Sequence, residues 1–226
     1  VTLPVPRPRR ALIAGASGAV GSVLLAQLLA EPAYAEIHAL VRRPLRVAAS
    51  SEAGKLVQHA FDFSDPGGVE GMIGIDDVYI CLGTTISNAG SQEAFRRVDF
   101  DAVVMVAQLG RRIGASRLAA VSALGADSTS RVFYNRVKGE TEAQLIGSGY
   151  DAITLVRPSL LDARRSEMRL AERVSLAIMR PVARLIPARW RPVSVEAVAR
   201  SMVDAVLQGK AGLQIIESDR IQRFAG

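Results

Sequence analysis

Residues 15–21 read Gly-Ala-Ser-Gly-Ala-Val-Gly, and they follow directly on the apolar run Ala11-Leu12-Ile13-Ala14. A buried strand that runs into a glycine turn and then opens a helix leaves few folds open. Gly15 suits a tight turn, Gly18 leaves the backbone accessible to a pyrophosphate, and Gly21 lets the helix pack close to the strand. The helix N-terminus then presents N–H groups and a positive dipole end to phosphates. In this context Gly15, Ser17, Gly18, Ala19, Val20 and Gly21 are candidate cofactor contacts. The glycines are spaced three and three, unlike the commoner dehydrogenase fingerprint, and an ordinary glycine-rich turn is the alternative.

The remainder of the chain alternates strand-like and helical patterns. Apolar runs over residues 36–41, 56–61, 77–82, 117–122 and 152–156 predict strands, with a late one at 212–216. Residues 92–112 predict one long helix with Val98, Ala102, Met105, Val106 and Leu109 on one face. Residues 134–146 predict another helix, and Val195, Val198, Ala199, Met202, Val203 and Val206 stand at helical spacing in a third. This βαβ rhythm predicts an α/β fold, a Rossmann-type doubly wound parallel sheet.

With 226 residues, 49% of them apolar, one domain spanning residues 1–226 is expected. Residues 1–10 are rich in Pro and Arg and lack the apolar core of a signal peptide, so residues 1–9 read as a flexible lead-in. Residues 159–192 are Arg-rich, with Pro181, Pro187 and Pro192 as breakers. They read as a small C-terminal substrate-covering segment, with Met168, Leu170, Val174, Ile178 and Met179 as its apolar wall. Two forms are open for it, a mobile lid and a permanently packed lobe.

The net charge is +6, but the arginines are scattered with little aromatic interleaving. That argues against nucleic acid and for a solvated surface with one anionic cofactor. No apolar run reaches transmembrane length. Cys81 is the only cysteine, so no intrachain disulfide can form, which predicts a cytoplasmic protein. His38 and His59 form no metal-ligand or triad pattern with Cys81, and no metal is expected.

The second strand ends at Arg42-Arg43, about twenty residues beyond the glycine loop, where an acidic residue would bind the ribose of NAD. A guanidinium there suits the 2′-phosphate of NADP(H); a charged, solvated strand end is the other reading. Asp62-Phe63 would lie near the adenine, and Leu82-Gly83-Thr84-Thr85 would line the nicotinamide side, unless both are turn chemistry.

Tyr134 and Lys138 stand four residues apart on a predicted helix, so their Cβ atoms lie about 6 Å apart on one face. A lysine ammonium beside a phenol stabilises the phenolate, and a cationic nicotinamide adds to this, so the tyrosine is expected to titrate below its usual value of about 10. Such a tyrosine can exchange a proton with a carbonyl or hydroxyl. The only lysines are Lys55, Lys138 and Lys210, in a chain that otherwise uses arginine. Retaining lysine here suggests a task that arginine performs poorly. Ser122, at the end of the fifth strand, either holds a substrate oxygen or is a plain turn serine.

With these residues placed, the chain resembles the short-chain dehydrogenase/reductase superfamily, and within it the atypical, Tat-interacting-oxidoreductase-like branch. The resemblance runs from about residue 10 to about residue 209. It rests on the glycine loop, Arg42-Arg43, Cys81-Leu82-Gly83-Thr84-Thr85, Val98-Asp99, Gly125-Ala126-Asp127, Tyr134-x-x-x-Lys138-Gly139-Glu140 and Arg157-Pro158. It implies NADP(H) binding, a Ser122-Tyr134-Lys138 site, and Lys138 and Arg157 as further cofactor contacts. Relatives often carry paired hydroxyl residues where this chain has Ser122-Ala123. The implied function is an NADP(H)-dependent oxidoreductase acting on a small carbonyl or alcohol. A second reading is an NADPH-binding redox sensor with a protein partner. A nucleotide-sugar epimerase fits less well, because the segment after Pro158 is short for a sugar-nucleotide lobe. A homodimer is compatible with any of these.

Overall fold

The computed structural model describes residues 7–46, 54–63, 72–162 and 187–224. Strands β1 (Arg9–Ala14), β2 (Tyr34–Val41), β3 (Leu56–Ala60), β4 (Asp77–Ile80), β5 (Arg117–Val121) and β6 (Ala152–Arg157) lie in one sheet. Short strands β7 (Leu161–Asp162) and β8 (Val193–Ser194) pair separately, and β9 (Gly212–Glu217) completes the main sheet. The order is β3-β2-β1-β4-β5-β6-β9, and every described pairing is parallel. The order reverses between β1 and β4, which opens a crevice at their carboxyl ends.

Helices cover both faces, so the central strands read as unbroken apolar runs. On one face α1 (Ala19–Ala30) packs with a late helix, Val195–Gln208, over Ile13, Tyr79 and Ile216. On the other, α4 (Ala102–Arg112) and α5 (Phe133–Ile146) cover Leu12, Ile80, Leu118 and Leu155. Leu12 and Ile13 go to opposite cores because strand side chains alternate. In the late helix Val195, Val198, Ala199, Met202, Val203 and Val206 are all buried, as their spacing predicts. Between β4 and α4 lie α2 (Ile86–Ala89) and α3 (Gln92–Arg96).

Two expectations change. The helix predicted over 92–112 is broken by a π-helical turn at Arg97–Asp101 between α3 and α4. The wider turn brings Asp99 wholly inside, and its carbonyl oxygen lies 2.9 Å from the Thr141 hydroxyl of α5. A π turn exposes carbonyls that an α-helix would use internally, which is how α5 gains a polar hold there.

The lead-in expected over residues 1–9 is also shorter than predicted. Arg9 and Arg10 belong to β1, and Arg9 pairs with the fully buried Asp77. Arg117 takes the same carboxylate from the other side, and the Tyr34 hydroxyl donates to it at 2.8 Å. Arg7 reaches Asp76 at 2.7 Å. This charged cluster closes the amino edge of the sheet.

Candidate functional site

The site is built at the carboxyl edge. Gly15 ends β1 with φ +87, a conformation that side chains rarely adopt, and a Cβ there would lie 2.5 Å from the Cys81 carbonyl oxygen. A Cβ on Gly21 would lie 2.0 Å from the Gly15 carbonyl oxygen, so loop and helix touch backbone to backbone. Between them Ser17, Gly18 and Ala19 are exposed. Gly18 caps α1 without a side-chain bond, and no acid stands in the first turn. The positive end of α1 therefore faces the crevice uncompensated by side chains. Val20, expected at the cofactor, turns its side chain into the core, which leaves only its backbone for that role.

Arg42 and Arg43 are exposed just past β2. Beyond β3, Asp62 is exposed, and the Phe63 ring packs edge-on against Phe61 at 5.0 Å. Past β4 the chain runs through Leu82, Gly83, Thr84 and Thr85. The Thr84 N–H donates to Asp99 Oδ2 at 2.9 Å, and the Thr85 hydroxyl accepts from the Asn88 N–H and caps α2. A Cβ on Gly83 would lie 3.4 Å from Asp99 Oδ1 and 3.8 Å from Lys138 Nζ. A side chain at this position would therefore crowd both charged groups.

On α5, Tyr134 is half-buried and Lys138 is buried. Lys138 Nζ sits 2.7 Å from Asp99 Oδ1, and the carboxylate is fully enclosed. The Tyr134 ring lies 5.4 Å from that of Phe95. Gly139 lets α5 press on the preceding loop, since a Cβ there would meet the Ser128 backbone nitrogen at 2.1 Å.

The tyrosine does not titrate as the sequence predicts. Burial raises it first, Lys138 lowers it, and Asp99 raises it again, so in the protein without cofactor the net shift is upward. The ammonium is present, but a carboxylate stands beside it. Burial likewise pushes the Cys81 thiol, beneath the glycine loop, up to about 12.

Ser122 follows β5, its N–H donating to the Val156 carbonyl at 2.7 Å. Its hydroxyl is buried and has no hydrogen-bond partner, and Ala123 beside it is buried too. An orphaned hydroxyl of this kind is unusual and marks a place where a ligand atom can complete the bonding.

Arg157 is a correction. Its Nε donates to Glu142 at 2.9 Å, Nη2 to the same carboxylate, and Nη1 to Glu217 at 3.0 Å. The guanidinium ties α5 to β6 and β9 and is committed to protein carboxylates, which is a structural role and not that of a cofactor contact. Asp99 is the residue that sequence reasoning missed as a member of the site. The signal was there in the form of an acid one turn before the apolar stripe of Ala102, Val103 and Val106. Of the segment expected to cover the substrate, Leu161 pairs with Val193, and the Ser159 hydroxyl donates to the Arg191 carbonyl. Its proposed apolar wall, Met168, Leu170, Val174, Ile178 and Met179, lies outside the described residues.

The glycine cradle and the helix end left without a side-chain cap fit a dinucleotide. Comparison with known proteins agrees, since a family model described as NAD(P)H-binding matches residues 15–209. The chain belongs to this NAD(P)H-binding family. Protein HTATIP2 of Rattus norvegicus is 32% identical over 215 residues, covering 92% of this chain and 86% of that protein. The mitochondrial protein fmp52 of Emericella nidulans is 32% identical over 164 residues, covering 71% of this chain and 70% of its own length. These relatives are the proteins that this chain resembles in sequence over most of its length. Among solved structures, the PhqB reductase domain from Penicillium fellutanum superposes with a TM-score of 0.68 at 19% identity, over 93% of this chain and 67% of that one. This likeness shows the fold.

The cytoplasmic expectation does not stand, because several relatives are named mitochondrial. A single cysteine speaks only to the absence of an intrachain disulfide, and that holds in more than one compartment. Among the described residues, no helix is long and apolar enough to cross a membrane, and no cluster of acids, histidines and cysteine is arranged to hold a metal.

Proposed function

We propose that this protein is an NADP(H)-dependent oxidoreductase that reduces a small carbonyl compound or oxidises the corresponding alcohol. The observation that carries the reading is the half-buried Tyr134 phenol one helical turn from the buried Lys138 ammonium, whose Nζ a Cβ on Gly83 would approach to 3.8 Å. The backbone of residues 15–21 would hold the pyrophosphate, Arg42 and Arg43 the 2′-phosphate, and Gly83 and its neighbours the nicotinamide side. When bound, the dinucleotide supplies the hydride that reaches the carbonyl carbon and is itself oxidised. Tyr134 gives its proton to the carbonyl oxygen, Lys138 stabilises the phenolate left behind, and solvent returns the proton. Ser122 would donate a hydrogen bond to the same oxygen.

The test is a panel of small aldehydes and ketones with NADPH oxidation as readout, followed by Tyr134→Phe on any substrate found. Loss of turnover by about a hundredfold or more with cofactor affinity unchanged is expected. Turnover of Tyr134→Phe at the wild-type rate would remove the tyrosine from the mechanism. A second reading, an NADPH-binding regulatory protein with a protein partner, is favoured by Ala123, which offers no hydroxyl at the second position. Cofactor binding without turnover on the panel would support it.

A further inference from the structure

The carboxylate beside Lys138 has consequences for the direction in which the site works. Asp99 is fully enclosed, Lys138 is nearly so, and their charged atoms are 2.7 Å apart. The other oxygen of Asp99 is fixed by the Thr84 N–H at 2.9 Å. Its backbone carbonyl, exposed by the π turn, shares the Thr141 hydroxyl proton with the Val137 carbonyl, at 2.9 and 2.8 Å. Three elements thus converge to hold one negative charge against the lysine.

We propose that Asp99 is a positioning residue that offsets part of the Lys138 charge and so adds to burial in holding the proton on Tyr134, favouring carbonyl reduction over alcohol oxidation. The inference rests on the oxidoreductase reading for its meaning, though its test does not depend on turnover. Reduction needs a phenol that can donate. Oxidation needs a phenolate that can accept the alcohol proton while hydride leaves to the oxidised dinucleotide. A lysine without a counter-ion would draw the tyrosine toward phenolate. With Asp99 in place the ammonium still acts on the phenol, but the carboxylate opposes part of its effect.

The other charges on the surrounding elements are engaged locally. Arg96 of α3 pairs with Glu140 of α5, and Arg97 pairs with Glu93. Arg136 donates to the Ser130 carbonyl, and the Asp127 carboxylate accepts from Thr129. Phe95, which packs on the phenol ring from α3, is neutral. Lys138 and Asp99 are the two charges that act on the phenol, one lowering and one raising it, on top of the effect of burial.

The chain contains four tyrosines, which makes a direct test practicable. Burial pushes Tyr34, Tyr79 and Tyr150 well above the ordinary phenol range, so the signal of Tyr134 is to be assigned by difference. The experiment is an alkaline titration of the phenolate band in the near ultraviolet, with circular dichroism recording that the protein stays folded. Tyr134→Phe identifies the signal of that tyrosine. In Asp99→Asn, which keeps the shape and the acceptor for Thr84, the Tyr134 midpoint should fall by about one pH unit. An unchanged or higher midpoint would overturn the proposal.

If Asp99→Asn does not fold, Asp99→Asn combined with Lys138→Met leaves no buried charge unpaired. Its midpoint should lie below that of Lys138→Met alone, and equality of the two would overturn the proposal. Where a substrate is in hand, Asp99→Asn should also move the alkaline limb of carbonyl reduction to lower pH by a similar amount. A normal titration shift with an inactive carbonyl panel would leave Asp99 in its role and count against the enzyme. A flat titration with an active, Tyr134-dependent enzyme would do the reverse.

Discussion

Gly18 and Gly21 belong to one motif, yet the structure assigns them different costs. At Gly21 an added Cβ would lie 2.0 Å from the Gly15 carbonyl oxygen, 2.7 Å from its carbon and 3.0 Å from the Ala16 Cα. All three are backbone atoms, so the clash is relieved only by moving α1 away from the β1 turn. Alanine gains about 1 kcal/mol of helix propensity over glycine. Overpacking against fixed neighbours costs about 1–3 kcal/mol and sometimes more, and contacts this short belong at the upper end. A net loss of about 2 kcal/mol follows, which for a chain of this size lowers Tm by about 5 °C. At Gly18 the Cβ would meet only the Gly15 carbonyl oxygen at 3.3 Å, and its φ of −78 is ordinary. Gly18→Ala should melt within about 2 °C of the parent. It should nonetheless bind NADPH about tenfold more weakly, about 1.4 kcal/mol, because the methyl stands where the pyrophosphate must approach. Thermal melts without nucleotide and a fluorescence titration with NADPH separate the two effects. If Gly21→Ala melts with the parent, or Gly18→Ala binds NADPH as tightly, the division of labour assigned to the two glycines is wrong.

Two further outcomes are expected. Arg42→Ala and Arg43→Ala should each reduce NADPH affinity about tenfold or more while leaving NADH unaffected, since a charge-assisted bond to a phosphate contributes about 1.5–3 kcal/mol; calorimetry with both cofactors decides, and an unchanged preference in both variants removes the arginines from the discrimination. Asp77→Ala leaves Arg9 and Arg117 without their shared carboxylate at the amino edge and should cost about 3 kcal/mol, because removing one partner of a buried pair exposes the others to an uncompensated environment; chemical denaturation measures it, and a loss below about 1 kcal/mol would mean that solvent reaches the guanidinium groups freely.

The fold was legible because its information is local. Unbroken apolar runs report strands covered on both faces, and the pattern of Val195, Val198 and Met202 reports a helix with one buried side. The errors arose where distant residues decide. Nothing near Arg9 in the chain announces that Asp77, buried in another strand, will draw it out of the lead-in. The break in the 92–112 helix is similar. Its apolar periodicity continues across the break, and the π turn answers to Thr141 and Lys138 on α5, which the periodicity of residues 92–112 does not encode.

The candidate site divides along the same line. Tyr134 and Lys138 share a helix, so their spacing alone puts them on one face, and the glycine loop is a continuous motif. Arg157 was misread because its partners, Glu142 and Glu217, come from a helix and an edge strand joined to it only by packing. Asp99 stands in the sequence as part of a motif, Val98-Asp99, but its place beside Lys138 depends on the packing of α5. The titration of Tyr134 combines both kinds of information. The lysine four residues away argues for a depressed phenol, while burial and the carboxylate brought in by the π turn argue for a raised one and prevail in the protein without cofactor. Helical spacing therefore identifies two groups on one face, while a third residue that also acts on the phenol is supplied by tertiary structure.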